Sequence, residues 1–180
     1  LTEADGSASE TRRAAAELRE ALAEDALAVQ APERPDEVAA LWRWRAGVGF
    51  AIFAQRGGAF SEDVTVPVDR LRDIARETVA IGERHDVPAL SFGHAGDGNI
   101  HSTFLFSPDD KDEEERADAA CRALYDLTHR LGGSVTGEHG IGWLKRGELE
   151  RQLGPVGYDL HLRLKQAFDP KNLLNPGKKR

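Results

Sequence analysis

The spacing of apolar positions switches several times between helical and strand periods along the chain. Residues 8–23 are rich in helix formers, with Leu18 and Leu22 four apart, which predicts a helix. Residues 26–30 read as a short strand closed by Pro32 and Pro35. Asp36 then reads as an N-cap, and a long helix is predicted to about Arg56, ended by Gly57-Gly58. Residues 63–66 alternate and are β-rich. Residues 68–84 carry Leu71, Ile74, Ala75, Thr78 and Ile81 at helical spacing. Two strands are predicted over 87–92 and 100–106, joined by the turn composition Ala95-Gly96-Asp97-Gly98-Asn99. A helix with an acidic start is predicted over 109–131; Gly132-Gly133 stops it, and 134–136 reads as a last short strand. Two further helices are predicted over 143–153 and 157–168, before an irregular tail from Asp169. The order β-α-β-β-α-β is the ferredoxin-like pattern. It predicts an α+β fold with an antiparallel sheet, helices on one face, and extra N- and C-terminal helices.

Composition narrows the class. Hydrophobic residues make up 40% and charged residues 31% of the 180, which is globular usage. No apolar run is long enough to span a membrane and no signal peptide is visible, so a cytoplasmic protein is expected. The net charge of −7 argues against general nucleic-acid binding. A single cysteine, Cys121, excludes an internal disulfide and a thiolate cage. There is no methionine, even at position 1, which suggests that the chain lacks its natural start.

Three histidines stand in unusual company. In Gly93-His94-Ala95-Gly96-Asp97-Gly98-Asn99-Ile100-His101, a two-residue type I′ turn at Asp97-Gly98 would pair residue 94 with 101. The two imidazoles would then face each other with Cβ atoms ~5 Å apart, close enough to share one metal ion. Two solvated histidines beside a turn is the alternative. Farther on, Gly137-Glu138-His139-Gly140 is followed by Gly142, a backbone free to bend. Glu138 could complete a two-histidine, one-carboxylate set with an open coordination position, leaving His139 as a base. A loop Glu-His pair at a helix start is the competing reading.

Arg45 falls at the centre of the stripe Val38, Leu41, Trp42, Gly49, Ile52, Phe53. A charge on a buried face needs a partner, either a substrate carboxylate or a buried acid. Cys121 lies on an apolar stripe and reads as a small buried hydrophobe. His85, His129 and His161 have no partners at ligand spacing and read as surface or boundary residues. Gly96-Asp97-Gly98 lacks the third glycine of a dinucleotide fingerprint and sits in a hairpin, so a Rossmann reading is rejected.

The stretches GHAGDGNIHSTF, GGSVTGEHGIGWLKRGEL and FDPKNLLNPGK together resemble the carboxy-terminal domain of FAD-linked 2-hydroxyacid oxidoreductases. These are vanillyl-alcohol-oxidase-type flavoproteins that include D-lactate dehydrogenases and the catalytic subunit of glycolate oxidase. LWRWRAG and SEDVTVPVDRL support the resemblance more weakly. It covers nearly the whole chain. It implies that His94, His101 and Glu138 bind a divalent metal, often zinc, that His139 is the catalytic base, and that Arg45 engages the substrate carboxylate. It also implies that the closing LLNPGK returns to an FAD-binding domain, bringing Asn175 near the cofactor. Dicarboxylate-oxidising relatives often carry a lysine just before the aspartate matching Asp63. Phe60-Ser61-Glu62 supplies none, which favours a small monocarboxylate.

The resemblance thus implies a fragment, residues 1–180 being the substrate domain of a longer enzyme with 169–180 packing on an upstream FAD domain. The activity expected is oxidation of a small D-2-hydroxy acid to the 2-oxo acid, with hydride passing to FAD. An acceptor protein or quinone would take the electrons, and peripheral attachment at the inner membrane face is a further option. The rivals are a zinc hydrolase, which would work without flavin, and a non-catalytic ferredoxin-like binding module.

Overall fold

The computed structural model describes residues 1–178 of the chain, which divides into two compact units, Leu1–Ile52 and Phe53–Arg180. In the first unit, helix α1 spans Ala8–Ala23, as its composition predicts. The Ser7 backbone N–H donates to Glu10, closing the first turn. The strand expected over 26–30 does not form; Leu27 is fully exposed and the segment has no strand to pair with. Helix α2 spans Pro35–Phe53. It starts before Asp36, because Pro35 is preset for a first helical position and the Arg34 carbonyl accepts from the Glu37 and Val38 amides. It ends three residues before Arg56, and Gly57 (φ 83°) turns the chain by donating to the Phe53 carbonyl.

The second unit is the α+β body. Strands β1 (Gly58–Thr65), β2 (Ala89–His94) and β3 (Asn99–Phe106) form one antiparallel sheet in the order β1-β3-β2. Between them run a short 3₁₀ turn (Val68–Arg70) and helix α3 (Leu71–His85); after them comes α4 (Lys111–Arg130). Asp110 caps α4 by accepting from the Glu113 amide. Both helices pack on the sheet and on each other, so they cover one face. Val64, Ile100, Phe104 and Phe106 meet Ile74, Ile81, Ala117, Ala120, Cys121 and Leu124 there. Cys121 is buried, as its place on the α4 stripe predicts.

The fourth strand is a correction. Residues 134–136 make a single bridge, Ser134 to Thr65, and the sheet has three strands. Thr136 and the residues after it turn away to wrap a side chain of β1 instead of continuing the ladder. The helices expected over 143–153 and 157–168 run end to end as α5 (Leu149–Phe168), preceded by a 3₁₀ turn (Arg146–Glu148). Its backbone breaks at Gly154 (φ 68°, ψ 170°), just before Pro155, close to where the sequence placed the gap. Among the described residues no helix is long and apolar enough to cross a membrane.

Candidate metal centre

The face of the sheet turned away from α3 and α4 carries the polar site. Period-two alternation puts Asp63 of β1, His101 of β3, and Phe92 and His94 of β2 on that face. The register differs from the one expected of a two-residue turn. His94 pairs with Asn99, and His101 lies opposite Phe92 on one side and Asp63 on the other. The turn holds four residues, 95–98, rather than two. Three bonds fix it: the Asp97 amide donates to the His94 carbonyl, the Val66 amide to the Gly98 carbonyl, and the Asn99 amide to the Asp97 carboxylate. His94 and His101 are therefore diagonal neighbours, and their rings still meet, 5.6 Å apart and nearly perpendicular.

Glu138 reaches this pair from the loop after Ser134. Its Oε1 lies 3.3 Å from His101 Nε2 and 3.8 Å from His94 Nε2. One ligand atom from each of the three residues falls within 4.8 Å of the other two. Two imidazoles and one carboxylate are a donor set that zinc and similar divalent ions accept, with room for an exchangeable ligand. His139 stacks on His101 at 5.2 Å between centroids, and its Nε2 is 3.8 Å from Glu138 Oε1. Burial, the largest influence, pushes the pKa of His101 below its ordinary value. His139 and His94 push the same way, while the Glu138 and Asp63 carboxylates oppose. A neutral imidazole is the form that binds a metal.

The sequence reading missed the group that aims the loop. Asp63 is fully buried, and its Oδ2 accepts from the amides of Gly137 (2.9 Å), Glu138 (2.5 Å) and His139 (2.8 Å). Thr136 Oγ1 donates to Oδ1 at 3.2 Å and accepts from the Gly140 amide. Burial pushes the Asp63 carboxyl up. The His139 amide, the Lys145 ammonium and the Glu138 amide outweigh it and hold the pKa at about 2. Lys145 was also missed; its Nζ sits 2.9 Å from Asp63 Oδ1 and 3.1 Å from Glu62 Oε2. The available signal was an acid inside an alternating strand, between Glu62 and Val64.

The other expected residues stand elsewhere. Arg45 belongs to the first unit and is exposed, which corrects its placement on a buried stripe. Only Ile52 of α2 is buried; Trp42, Trp44, Phe50 and Phe53 put large exposed apolar groups around the helix. The Arg45 guanidinium lies 5.6 Å from the Trp42 ring centroid. Asn175 is exposed in the tail with φ 48°, and its carbonyl accepts from the Lys178 amide. The tail turn is held by Asp169, which accepts from the Leu173 and Leu174 amides and pairs with Lys165. The end of the tail, residues 179–180, lies outside the described residues. His129 is a half-buried boundary residue, as expected, and its Nε2 lies 3.1 Å from Glu148 Oε2.

The family model described as "FAD linked oxidases, C-terminal domain" matches residues 1–179. The chain belongs to that family. It is 38% identical over 154 residues to glycolate oxidase subunit GlcD of Bacillus subtilis (strain 168), covering 86% of this chain and 33% of that protein. It is 39% identical over 140 residues to a probable mitochondrial D-lactate dehydrogenase of Danio rerio, covering 77% of this chain and 28% of that one. A D-lactate dehydrogenase of Archaeoglobus fulgidus is 38% identical over 117 residues, 64% of this chain and 25% of that protein. The chain thus spans a third or less of the length of these relatives. Among solved structures, p-cresol methylhydroxylase with substrate bound superposes with a TM-score of 0.62 at 18% identity, over 97% of this chain and 36% of that one. That likeness concerns the fold.

Proposed function

We propose that this chain is the substrate- and metal-binding domain of a flavin-dependent enzyme that oxidises a small D-2-hydroxy acid, of lactate or glycolate type, to the 2-oxo acid. The observation that carries the reading is the convergence of His94, His101 and Glu138, with His139 stacked beside them. His94, His101 and Glu138 would hold a divalent metal, zinc by the donor set, whose charge makes a substrate hydroxyl more acidic. His139 Nε2 would take the hydroxyl proton. Arg45 would hold the substrate carboxylate through its planar fork. FAD, bound mainly by a separate domain of the same polypeptide, supplies the electron acceptor. An acceptor protein or quinone would reoxidise it, at the inner face of a membrane or in solution. The absence of a lysine before Asp63 favours a monocarboxylate.

The finer fold follows the same lines. We read the sheet as ferredoxin-like, with its fourth strand cut down to the Ser134–Thr65 bridge. The tail from Asp169, with exposed Leu173 and Leu174, would pack on the FAD-binding domain and bring Asn175 toward the cofactor.

Metal analysis and turnover, measured on the same variants, test the reading. The zinc-reconstituted chain should hold one ion, and the His94→Ala, His101→Ala double variant none; equal stoichiometry in both would end the assignment. In the enzyme joined to its FAD-binding domain, His139→Ala should keep the metal and lose about 10²–10⁴-fold in turnover. Glu138→Ala should lower metal content and turnover together. Hydrolytic turnover by this chain without flavin would replace the oxidase reading with the hydrolase one.

A further inference from the structure

We propose that Lys145 is a positioning residue for the metal centre. Its ammonium locks the Asp63 carboxylate in the orientation that aims Glu138 and His139. The proposal rests on the metal-centre reading above.

The argument starts from the broken ladder. Thr65 and Ser134 exchange two backbone hydrogen bonds, so they are a hydrogen-bonded antiparallel pair. The next such pair would be Asp63 with Thr136, and the Asp63 carbonyl would accept from the Thr136 amide. It does not. The Thr136 amide turns to Ser134 Oγ, and the Asp63 carbonyl accepts from Lys145 Nζ at 2.8 Å. The same ammonium donates to the Val135 carbonyl at 2.8 Å and to Asp63 Oδ1 at 2.9 Å. An ammonium has three donors, and these contacts use all three; Glu62 Oε2 at 3.1 Å adds a second negative charge. Lys145 replaces the strand bond that the loop gave up, and the loop is thereby free to fold over a side chain.

The division of labour on Asp63 makes this more than an ion pair. Oδ2 receives three consecutive loop amides, while Oδ1 receives Lys145 and the longer bond from Thr136. A terminal carboxylate torsion is broad and roughly two-fold, so one held oxygen fixes where the other points. Removing the ammonium leaves Oδ1 with the Thr136 hydroxyl alone among these two partners. The carboxylate can then turn, and the amides of Glu138 and His139 turn with it. Lys145 is 5% exposed, so water cannot readily replace it. Outer groups that orient metal ligands typically change metal affinity by about 10–100-fold when lost.

Lys145→Met keeps the stem and removes the charge. Three readings are taken on the 180-residue chain: zinc affinity by titration with zinc ion alone against a chelating dye, amide hydrogen exchange, and thermal midpoint. Ile81→Ala, a buried core change on α3, serves as the stability control. The expected result for Lys145→Met is about 10–100-fold weaker zinc binding by the folded protein. The amides of 137–139 should lose protection selectively, while those of β3 keep theirs. Ile81→Ala should lower the midpoint with zinc affinity and loop protection unchanged. If Lys145→Met only lowers the midpoint, with zinc affinity within two-fold and the 137–139 amides still protected, the proposal is overturned. If the wild-type chain binds no zinc at these residues, the metal reading fails by itself, and the loop amides still decide the role of Lys145. Should Lys145→Met not fold, Lys145→Gln, which keeps two N–H donors but no charge, is read in the same assays against the same outcomes.

Discussion

Asp63 is fully buried and ionised, and that combination sets a pH window. Its folded-state pKa of about 2 lies below the ordinary 3.8. A depressed carboxylate contributes stability that is complete above the unfolded value and is lost as pH falls through the folded one. The interval is therefore about pH 4 to 2, and the contribution is about 2 kcal/mol. Urea midpoints measured across that range should show this acid limb in the wild type and a shallower one in Asp63→Asn. Equal limbs would mean that Asp63 is not ionised in the fold. His94, Glu138 and His139 were legible in the sequence because each is a chemically distinctive residue beside a glycine, and His101 because it follows the same glycine-bearing turn as His94. Asp63 and Lys145 were not, since their partnership spans 82 positions and no local period marks either end.

At the scale of elements, apolar spacing located α3, α4, β2 and β3 and the second half of β1, because each buries one face; α1, which buries no residue, was legible from its helix formers alone. Turn chemistry was less legible. Asp97-Gly98 has the composition of a two-residue hairpin turn, but the Val66–Gly98 bond ties the loop to the end of β1 and widens it to four residues. Propensity within the loop could not show a bond to a strand that begins 40 residues earlier. The same bond makes Gly98 a point of control. Its φ is +79°, and a Cβ there would sit 2.0 Å from the Val66 carbonyl oxygen. Gly98→Ala combines left-handed strain with a backbone collision, and should cost more than about 2 kcal/mol in chemical denaturation. The β2–β3 register carries His94, so zinc affinity should fall as well. Gly96→Ala, with nothing within 4 Å of its added carbon, should leave both nearly unchanged.

At the scale of the whole molecule, the informative surface is on α5. Beyond the break at Gly154, Val156, Leu160, Leu164 and Phe168 recur every four residues, and all are exposed. Such a row marks an interaction face more often than an idle one. The relatives are at least three times as long as the matched stretch, and the resemblance to FAD-linked oxidases is the feature of the sequence that implies a flavin domain as neighbour. No periodicity could have done so, because an exposed apolar stripe and a buried one have the same spacing. The proposed architecture puts the tail from Asp169 on the FAD-binding domain, and the stripe, which runs up to that tail at Phe168, is expected to extend the same contact. Leu160→Lys with Leu164→Lys should then leave the thermal stability of this chain within about 0.5 kcal/mol of wild type, as surface changes do. In the enzyme carrying both domains, the same pair should loosen the interface and lower flavin retention after gel filtration. A large loss of stability in the isolated chain would show instead that the stripe packs within it. Full flavin retention by the double variant would move the interface to another face.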